Sequence, residues 1–398
     1  MNKTLFGRMR YWALLVLIVL LAMSSHPIVM SNSRNAGMEQ GTLLSPYIIV
    51  LFAGLVLICA RWMLCFRVQK RSFIFLLFVA ISALMAIAFF NNSSMIGDIR
   101  SIGICLCAIG VGCSLDLNTR GLKVLLLIYA GLFIFVGLSI IMVGLGSFII
   151  QQQYIDSNKN ILGVNLATTI LILAFFIMDK SVKLFWKMGM LVMIAFSFLI
   201  ILTLRARTAT LCAALILIYS LYTYFKGKNR NRAMPKTIGV VVFLLALVLL
   251  IAPIRDYIFN SFTLGYENEN DIFTGRTERN VAALNVVLEH PFLGNIDNKV
   301  KMAWVHNYPL LMWSEYGLIF AFPIMFLYLY LLFFTIKRSL QIRNETLWDL
   351  GYIALLIPFI CSMAEPTLPY GPGTGTVFNF ILFGISLRKS TEFIEIEK

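Results

Sequence analysis

The chain has 398 residues, of which 60% are hydrophobic and only 13% are charged. A soluble domain needs about twice that share of charged residues, so the composition excludes an ordinary soluble protein and indicates one polytopic membrane domain over residues 1–398. The formal net charge is +14. Because the basic residues lie between apolar runs, they indicate membrane topology and not nucleic-acid binding.

Apolar runs of transmembrane length, or slightly shorter, recur along the whole chain. The predicted spans are Tyr11–Met30, Leu43–Ala60, Ser72–Phe90, Ile99–Leu115, Val124–Leu145, Ile161–Met178, Met188–Leu204, Thr208–Phe225, Thr237–Ala252, Tyr308–Thr335, Leu350–Met363 and Thr376–Leu387. The first follows basic residues as a signal peptide does, but it has no small-residue cleavage site and is interpreted as a retained span. The predicted fold is an all-α polytopic membrane protein with about 12 transmembrane helices.

The basic residues also predict the orientation of these spans. With the N-terminus in the cytoplasm, 23 of the 33 lysines and arginines fall in cytoplasmic connections and ten fall outside. The positive-inside rule therefore predicts that both termini are cytoplasmic. The positive-inside rule does not explain the arginines on the outer side. Arginine is the side chain best suited to bind phosphate through paired hydrogen bonds.

One large outer loop, residues 253–306, is predicted before a late span. Val281, Leu284, Val287 and Leu288 recur at helical spacing within it, which predicts a short amphipathic helix ending before Pro291. Two arginines, Arg276 and Arg279, lie three apart near the start of that helix, where free backbone N–H groups add to the attraction for phosphate.

A second outward pair, Arg205 and Arg207, lies in a very short turn between two spans. Interfacial anchoring to lipid phosphates is the alternative explanation for both residues. Two arginines on the disfavoured side nevertheless favour an anion-binding site.

Four polar residues in or after the span that begins at Tyr308, or directly before it, are further candidates. His306 and Asn307 directly precede Tyr308. A histidine is the natural proton acceptor at neutral pH. Glu315 lies within the span, where a carboxylate is costly unless it is paired, so it either holds an outer arginine or binds sugar hydroxyls. Glu365 opens a proline- and glycine-rich outer turn that either lines a sugar path or is only a tight connection.

The chain has no P-loop, no HExxH sequence and no GxSxG sequence. We therefore expect no nucleotide hydrolysis, no metal site and no cofactor.

Several pieces together resemble the O-antigen ligase and O-antigen polymerase superfamily. They are Arg207 followed four residues later by Leu211, Gly275-Arg276 leading to Glu289-His290-Pro291-Phe292-Leu293-Gly294, and His306-Asn307 followed by nine residues and Gly317. The resemblance covers roughly residues 156–330 in motifs and the whole chain in topology.

This resemblance implies a metal-independent, inverting glycosyltransferase in the bacterial inner membrane with its active site facing the periplasm. Its donor would be an undecaprenyl-pyrophosphate-linked oligosaccharide. Arg207 and Arg276 would bind the pyrophosphate, with Arg205 and Arg279 as weaker candidates, and His306 would activate the acceptor hydroxyl. Glu315, Asn307 and Glu365 are supporting candidates.

The acceptor distinguishes two activities within the superfamily. A polymerase, which we favour because polymerases are the more diverse group, extends a lipid-linked glycan, whereas a ligase transfers to lipid A-core. Membrane lipids and a chain-length regulator are the further partners expected. A polysaccharide flippase is the less favoured alternative, since transporters concentrate polar residues at the bilayer midplane.

Overall fold

The computed structural model describes most of the chain as helices. The described residues are 3–35, 43–65, 93–146, 148–179, 181–204, 206–226, 236, 239–240, 250, 276–295, 305–341, 346–365, 368–370 and 376–396. The structure is 86% helix, and no strand occurs in these ranges.

The described helices are numbered here in chain order. They are α1 (Lys3–Ser24), α2 (Pro27–Asn35), α3 (Ser45–Cys65), α4 (Ser93–Ser114), α5 (Thr119–Gly146), α6 (Phe148–Met178), α7 (Leu184–Thr203), α8 (Arg207–Lys226), α9 (Arg276–Glu289), α10 (Tyr308–Gln341), α11 (Leu350–Cys361) and α12 (Val377–Ile396).

Within the described ranges, seven helices are long and apolar enough to cross a membrane. Their crossing segments are Gly7–Ser24, Gly97–Ser114, Thr119–Met142, Lys159–Met178, Leu184–Thr203, Arg207–Phe225 and Tyr308–Gln341. The helical segments Ser45–Ala60 and Leu350–Cys361 are apolar but shorter. The protein is therefore an all-α, membrane-embedded protein with several spans.

The chain divides into two compact units. Unit 1 contains Met1–Leu17, Ile48–Asp116 and Phe273–Lys398, and unit 2 contains Ile18–Tyr47 and Leu117–Ile272.

In unit 1, α4 packs on α12, and α11 lies against both α12 and α10. Glycines allow the closest approach: a Cβ atom at Gly384 would overlap the carbonyl oxygen of Ile109, and one at Gly112 would overlap that of Ile381. Small residues at such crossings are the usual means by which membrane helices gain van der Waals contact. The α4–α12 crossing therefore depends on these two glycines.

In unit 2, α6 is the central helix. It packs against α2, α5, α7 and α8, and 83% of its crossing segment is buried. Its buried Asn165 accepts a hydrogen bond from the hydroxyl of Tyr129 at 2.8 Å, so this polar group is satisfied inside the bundle. By contrast, α7 is only 22% buried and exposes apolar side chains along most of its length.

Two expectations about the elements were wrong. The first span does not reach Met30, because α1 ends at Ser24 and a new helix begins at Pro27, which lacks an amide hydrogen and favours the start of a helix. The span from Tyr308 is not a continuous helix, because Gly317 interrupts α10 with φ 67° and ψ 172°.

The predicted spans Ser72–Phe90 and most of Thr237–Ala252, and the loop residues 253–275, lie outside the described residues. The total of twelve spans stays a prediction.

Candidate functional site

The loop helix predicted from the apolar spacing is present as α9, and it carries both loop arginines. Arg276 is its first residue and Arg279, which is exposed, its fourth. Ala283, Val286 and Val287 form the buried face, whereas Val281, Leu284 and Leu288 are exposed apolar residues. The helix therefore presents one apolar face to α10, on which it packs, and a second outward.

The chain leaves α9 through a turn, residues 290–295, that docks on the break in α10. The amide of Leu318 donates to the carbonyl of Pro291 at 2.9 Å, and that of Ile319 donates to Phe292 at 3.2 Å. In the opposite direction, the amide of Asn295 donates to the carbonyl of Ser314 at 2.9 Å. The turn thus satisfies backbone groups that the interruption of the helix leaves without intrahelical partners.

Two glycines make this docking sterically feasible. Gly294 has φ 59° and Gly317 has φ 67°, a region that residues with a Cβ atom rarely adopt. A Cβ at Gly317 would overlap the Phe292 carbonyl oxygen, and one at Gly294 would lie 2.8 Å from the Ser314 carbonyl oxygen. The closing glycines of the two sequence motifs, 290–294 and 306–317, therefore meet in one backbone contact.

The break separates a short segment, residues 306–316, from the rest of α10. We call this segment the arm. Asn307 caps its helix, because the amide of Leu310 donates to the Asn307 Oδ1 at 3.0 Å. The Asn307 Nδ2 donates to the carbonyl of Met363 at 3.3 Å. The amide of Tyr308 donates to the carbonyl of Ser362 at 3.0 Å. Asn307 therefore has a structural role at the start of the arm, next to the partly exposed His306.

A cluster of buried tyrosines lies against the start of the arm. The Tyr308 ring stacks on Tyr328 at 5.9 Å between centroids and meets the edge of Tyr370 at 5.7 Å. The Tyr328 hydroxyl bonds to the Ser362 Oγ at 2.8 Å. Among the described residues, the buried hydroxyls of Tyr308 and Tyr370 have no hydrogen-bond partner. Burial raises the pKa of the Tyr370 phenol well above its usual value, so it stays a neutral donor.

An aspartate that the sequence analysis did not select lies beside the other end of the arm. The hydroxyl of Tyr316, the last residue of the arm, donates to the Asp98 Oδ2 at 2.9 Å. Glu315 interacts electrostatically with the same Asp98 carboxyl group. Neither carboxylate forms an ion pair with a described residue, so the predicted partnership of Glu315 with an outer arginine stays a prediction. Asp98 could have been selected as a carboxylate at the edge of a predicted span.

Glu365 lies in unit 1, after the end of α11, and only 6% of its surface is exposed. Such burial excludes a loose surface position but does not by itself indicate contact with a sugar.

Arg207 belongs to unit 2, where it is the first residue of α8 and is partly exposed. Ala206 and the first turn of α8 pack on α6: a Cβ at Gly163 would lie 2.7 Å from the Cβ of Ala209 and 3.0 Å from that of Ala206. The amide of Ala206 also donates to the carbonyl of Ile201 at 3.3 Å. This packing holds the backbone that carries Arg207. Arg205 lies outside the described residues.

Within the residues that the structure describes, no group of three or more His, Cys, Asp or Glu side chains could hold a metal ion. The described part of unit 1 thus brings His306, Asn307 and Glu315 onto one arm and connects that arm to the helix of Arg276 and Arg279. No protein-family model matches the chain, and a search of curated proteins found no similar sequence.

Proposed function

We propose that this chain is a glycosyltransferase of the O-antigen ligase and O-antigen polymerase superfamily. The observation that carries the proposal is the docking of the turn 290–295 on the break at Gly317. The loop motif and the histidine motif that resemble this superfamily form one hydrogen-bonded piece of unit 1. This contact supports the proposal because it joins the helix of Arg276 to the segment that carries His306.

The proposed function requires a particular membrane orientation. About 12 spans place both termini in the cytoplasm and the loop 253–306 in the periplasm, at the outer face of a bacterial inner membrane. The seven apolar helices support the membrane part of this proposal.

The proposed reaction transfers a glycan from undecaprenyl pyrophosphate to a hydroxyl group. His306 accepts the hydroxyl proton while the oxygen attacks the anomeric carbon of the donor. The bond from that carbon to the pyrophosphate oxygen breaks, and the leaving pyrophosphate keeps the electron pair, which inverts the anomeric centre. Arg207 and Arg276 bind the pyrophosphate and stabilise its growing charge. No metal or cofactor takes part.

The exposed apolar residues of α9 support a position of this helix at the membrane interface. Leu284 and Leu288 face outward from a helix that also carries Arg279 and Glu278. An amphipathic helix with apolar and charged residues of this kind lies in the plane of the membrane surface. That is where the pyrophosphate of a lipid-linked donor is found.

Replacement of the histidine tests the reaction. Purified protein is incubated with undecaprenyl-pyrophosphate oligosaccharide extracted from the producing bacterium, in the presence of EDTA and without ATP. We expect His306→Ala to lower the transfer rate by about 10²- to 10⁴-fold, which is the usual contribution of a general base. His290→Ala is the matched control, because His290 is exposed at the end of α9. Near-normal product from His306→Ala would contradict the role of His306 as base.

The arginines are tested in the same assay. Arg207→Lys and Arg276→Lys should both be impaired, since an ammonium group cannot replace the planar fork of a guanidinium. Arg100→Lys is the control, because Arg100 is an exposed arginine on the same predicted side. Full activity of both variants would indicate that these arginines only anchor the protein to lipid.

A gene deletion identifies the acceptor. We favour the polymerase, for which the deletion leaves lipid A-core with a single repeat unit. Bare core together with accumulated lipid-linked polymer would identify a ligase. The purified assay separates both from a transporter, which forms no new glycosidic bond.

A further inference from the structure

The arm is held by backbone hydrogen bonds at its two ends. At its start, the amide of Tyr308 is bound by the end of α11 through the carbonyl of Ser362. At its far end, the carbonyl of Ser314 is bound by the amide of Asn295 in the turn. Gly317 interrupts the helix at this point, so the remainder of α10 cannot fix the rotation of the arm through helical continuity. The Trp313 Nε1 also donates to the Pro291 carbonyl at 3.0 Å, which ties the arm again to the turn. A contact with a different helix would limit the rotation of the arm further.

Asp98 supplies such a contact from α4. The Tyr316 side chain is 2% exposed, and its hydroxyl donates to the Asp98 Oδ2 across 218 positions of sequence. Tyr316 is the residue immediately before the break. The bond therefore holds the arm at the point where the helix stops constraining it.

The acceptor of this hydrogen bond is a carboxylate. A hydrogen bond to a carboxylate is roughly twice as strong as one between neutral groups. Asp98 is partly buried at the edge of a crossing segment, and a buried charge is costly unless it is hydrogen-bonded. Among the described residues, Asp98 has no ion-pair partner that would explain its charge. Its carboxylate accepts a hydrogen bond from Tyr316 of the arm.

We propose that Asp98 is a positioning residue that, through the hydroxyl of Tyr316, fixes the arm and so the orientation of His306. This role rests on the proposed function of His306 as the base. The helix from Tyr308 to Tyr316 has nine residues, or about 13 Å of length. A tilt of about 5° therefore displaces its opposite end by about 1 Å. A misplacement of that size can lower a rate by about 10²-fold.

Four variants test the proposal in the purified transfer assay. Tyr316→Phe and Asp98→Ala each remove the bond, Asp98→Asn keeps an oxygen acceptor, and Tyr352→Phe is the matched control. Tyr352 is also a buried tyrosine of unit 1, and its hydroxyl donates to the carbonyl of Ser386 at 3.3 Å, away from the arm. A general loss of stability affects Tyr316→Phe and Tyr352→Phe alike, whereas loss of positioning affects only the first.

We expect Tyr316→Phe and Asp98→Ala to lower kcat by about 10- to 10²-fold, with the donor KM changed less than about twofold. Asp98→Asn should lie between Asp98→Ala and the unaltered protein. The double variant of Tyr316→Phe with Asp98→Ala should be no slower than the slower single variant, because both remove the same bond. The proposal is overturned if Tyr316→Phe behaves like Tyr352→Phe, or if the two single losses multiply in the double variant.

Amide hydrogen exchange of residues 306–316 separates this proposal from the proposed function. Exchange in the arm should rise in Tyr316→Phe and in Asp98→Ala but not in Tyr352→Phe, whatever the activity. Unchanged exchange in Tyr316→Phe would overturn the positioning role. If exchange rises as expected while His306→Ala still transfers glycan, Asp98 holds the arm and the assignment of the base is the part that fails.

Discussion

Replacing Gly317 with alanine is expected to detach the turn 290–295 from α10. The backbone at Gly317, with φ 67° and ψ 172°, lies in a region that is essentially restricted to glycine, and an alanine there costs about 1–3 kcal/mol of strain. The new methyl group would also overlap backbone atoms of Phe292, Leu293 and Gly294, which cannot rotate away as a side chain can.

The size of the effect follows from the contacts that are lost. Separating the turn from the helix breaks the three backbone hydrogen bonds made by Asn295, Leu318 and Ile319. At about 0.5–1.5 kcal/mol each, detachment of the turn loses about 1.5–4.5 kcal/mol of hydrogen bonding. That is large compared with most single substitutions.

Amide hydrogen exchange of detergent-purified protein measures this prediction at the three amides themselves, and thermal unfolding measures its global consequence. Gly103→Ala is the control, because a Cβ at Gly103 in α4 meets nothing within 4 Å. It should leave the protein unchanged or stabilise it by up to about 1 kcal/mol. If Gly317→Ala exchanges and unfolds like Gly103→Ala, the reasoning from backbone conformation and overlap is refuted.

Two further predictions follow, one for each unit. In unit 1, Gly384→Leu should lower the thermal midpoint, because the new side chain would force α4 and α12 apart at the Ile109 carbonyl. Gly103→Leu, at an open position of α4, should not lower it, and equal midpoints would exclude the close crossing as a source of stability. In unit 2, burial alone would raise the pKa of Asp179. Hydrogen bonds outweigh this effect, the largest being that from the Lys123 Nζ at 2.7 Å, and they lower the pKa from 3.8 to about 2. Because the folded pKa lies below the unfolded one, the contribution is present above about pH 4 and is lost as the pH falls towards 2. Asp179→Asn should therefore unfold more easily at pH 7, by about 0.5–1 kcal/mol, and a difference that persists unchanged at pH 3 would contradict the assigned cause.

The helices of this protein are largely predictable from local composition. The runs Val124–Leu145 and Met188–Leu204 each lie within a described helix or within one residue of its end, because about 20 consecutive apolar residues have no better arrangement in a membrane. The loop helix was also predicted, and its end before Pro291 is confirmed. Composition does not indicate which face of this helix is buried, because the exposed Val281 and Leu288 are as apolar as the buried Val286.

The candidate site was predictable only as separate motifs. His306 and the loop arginines stood out as charged or titratable residues in an apolar chain, and their selection needed no coordinates. Asn307 was grouped with them, and its cap of Leu310 shows that a structural role accounts for it. Asp98 was passed over, since nothing in its neighbourhood predicts a partner 218 residues away.

Sequence by itself therefore determined that this is an all-α membrane protein and which residues are unusual in it, because both follow from local hydropathy and charge. Only the tertiary structure decided that Gly294 and Gly317 meet, that α10 is interrupted at their contact, and that Tyr316 is held by Asp98. These contacts join segments that local periodicity treats as independent, and the break at Gly317 lies inside a run whose composition favours a continuous helix. The backbone of the turn supplies the hydrogen bonds that make the break stable, and that backbone carries no signal in the composition of either segment.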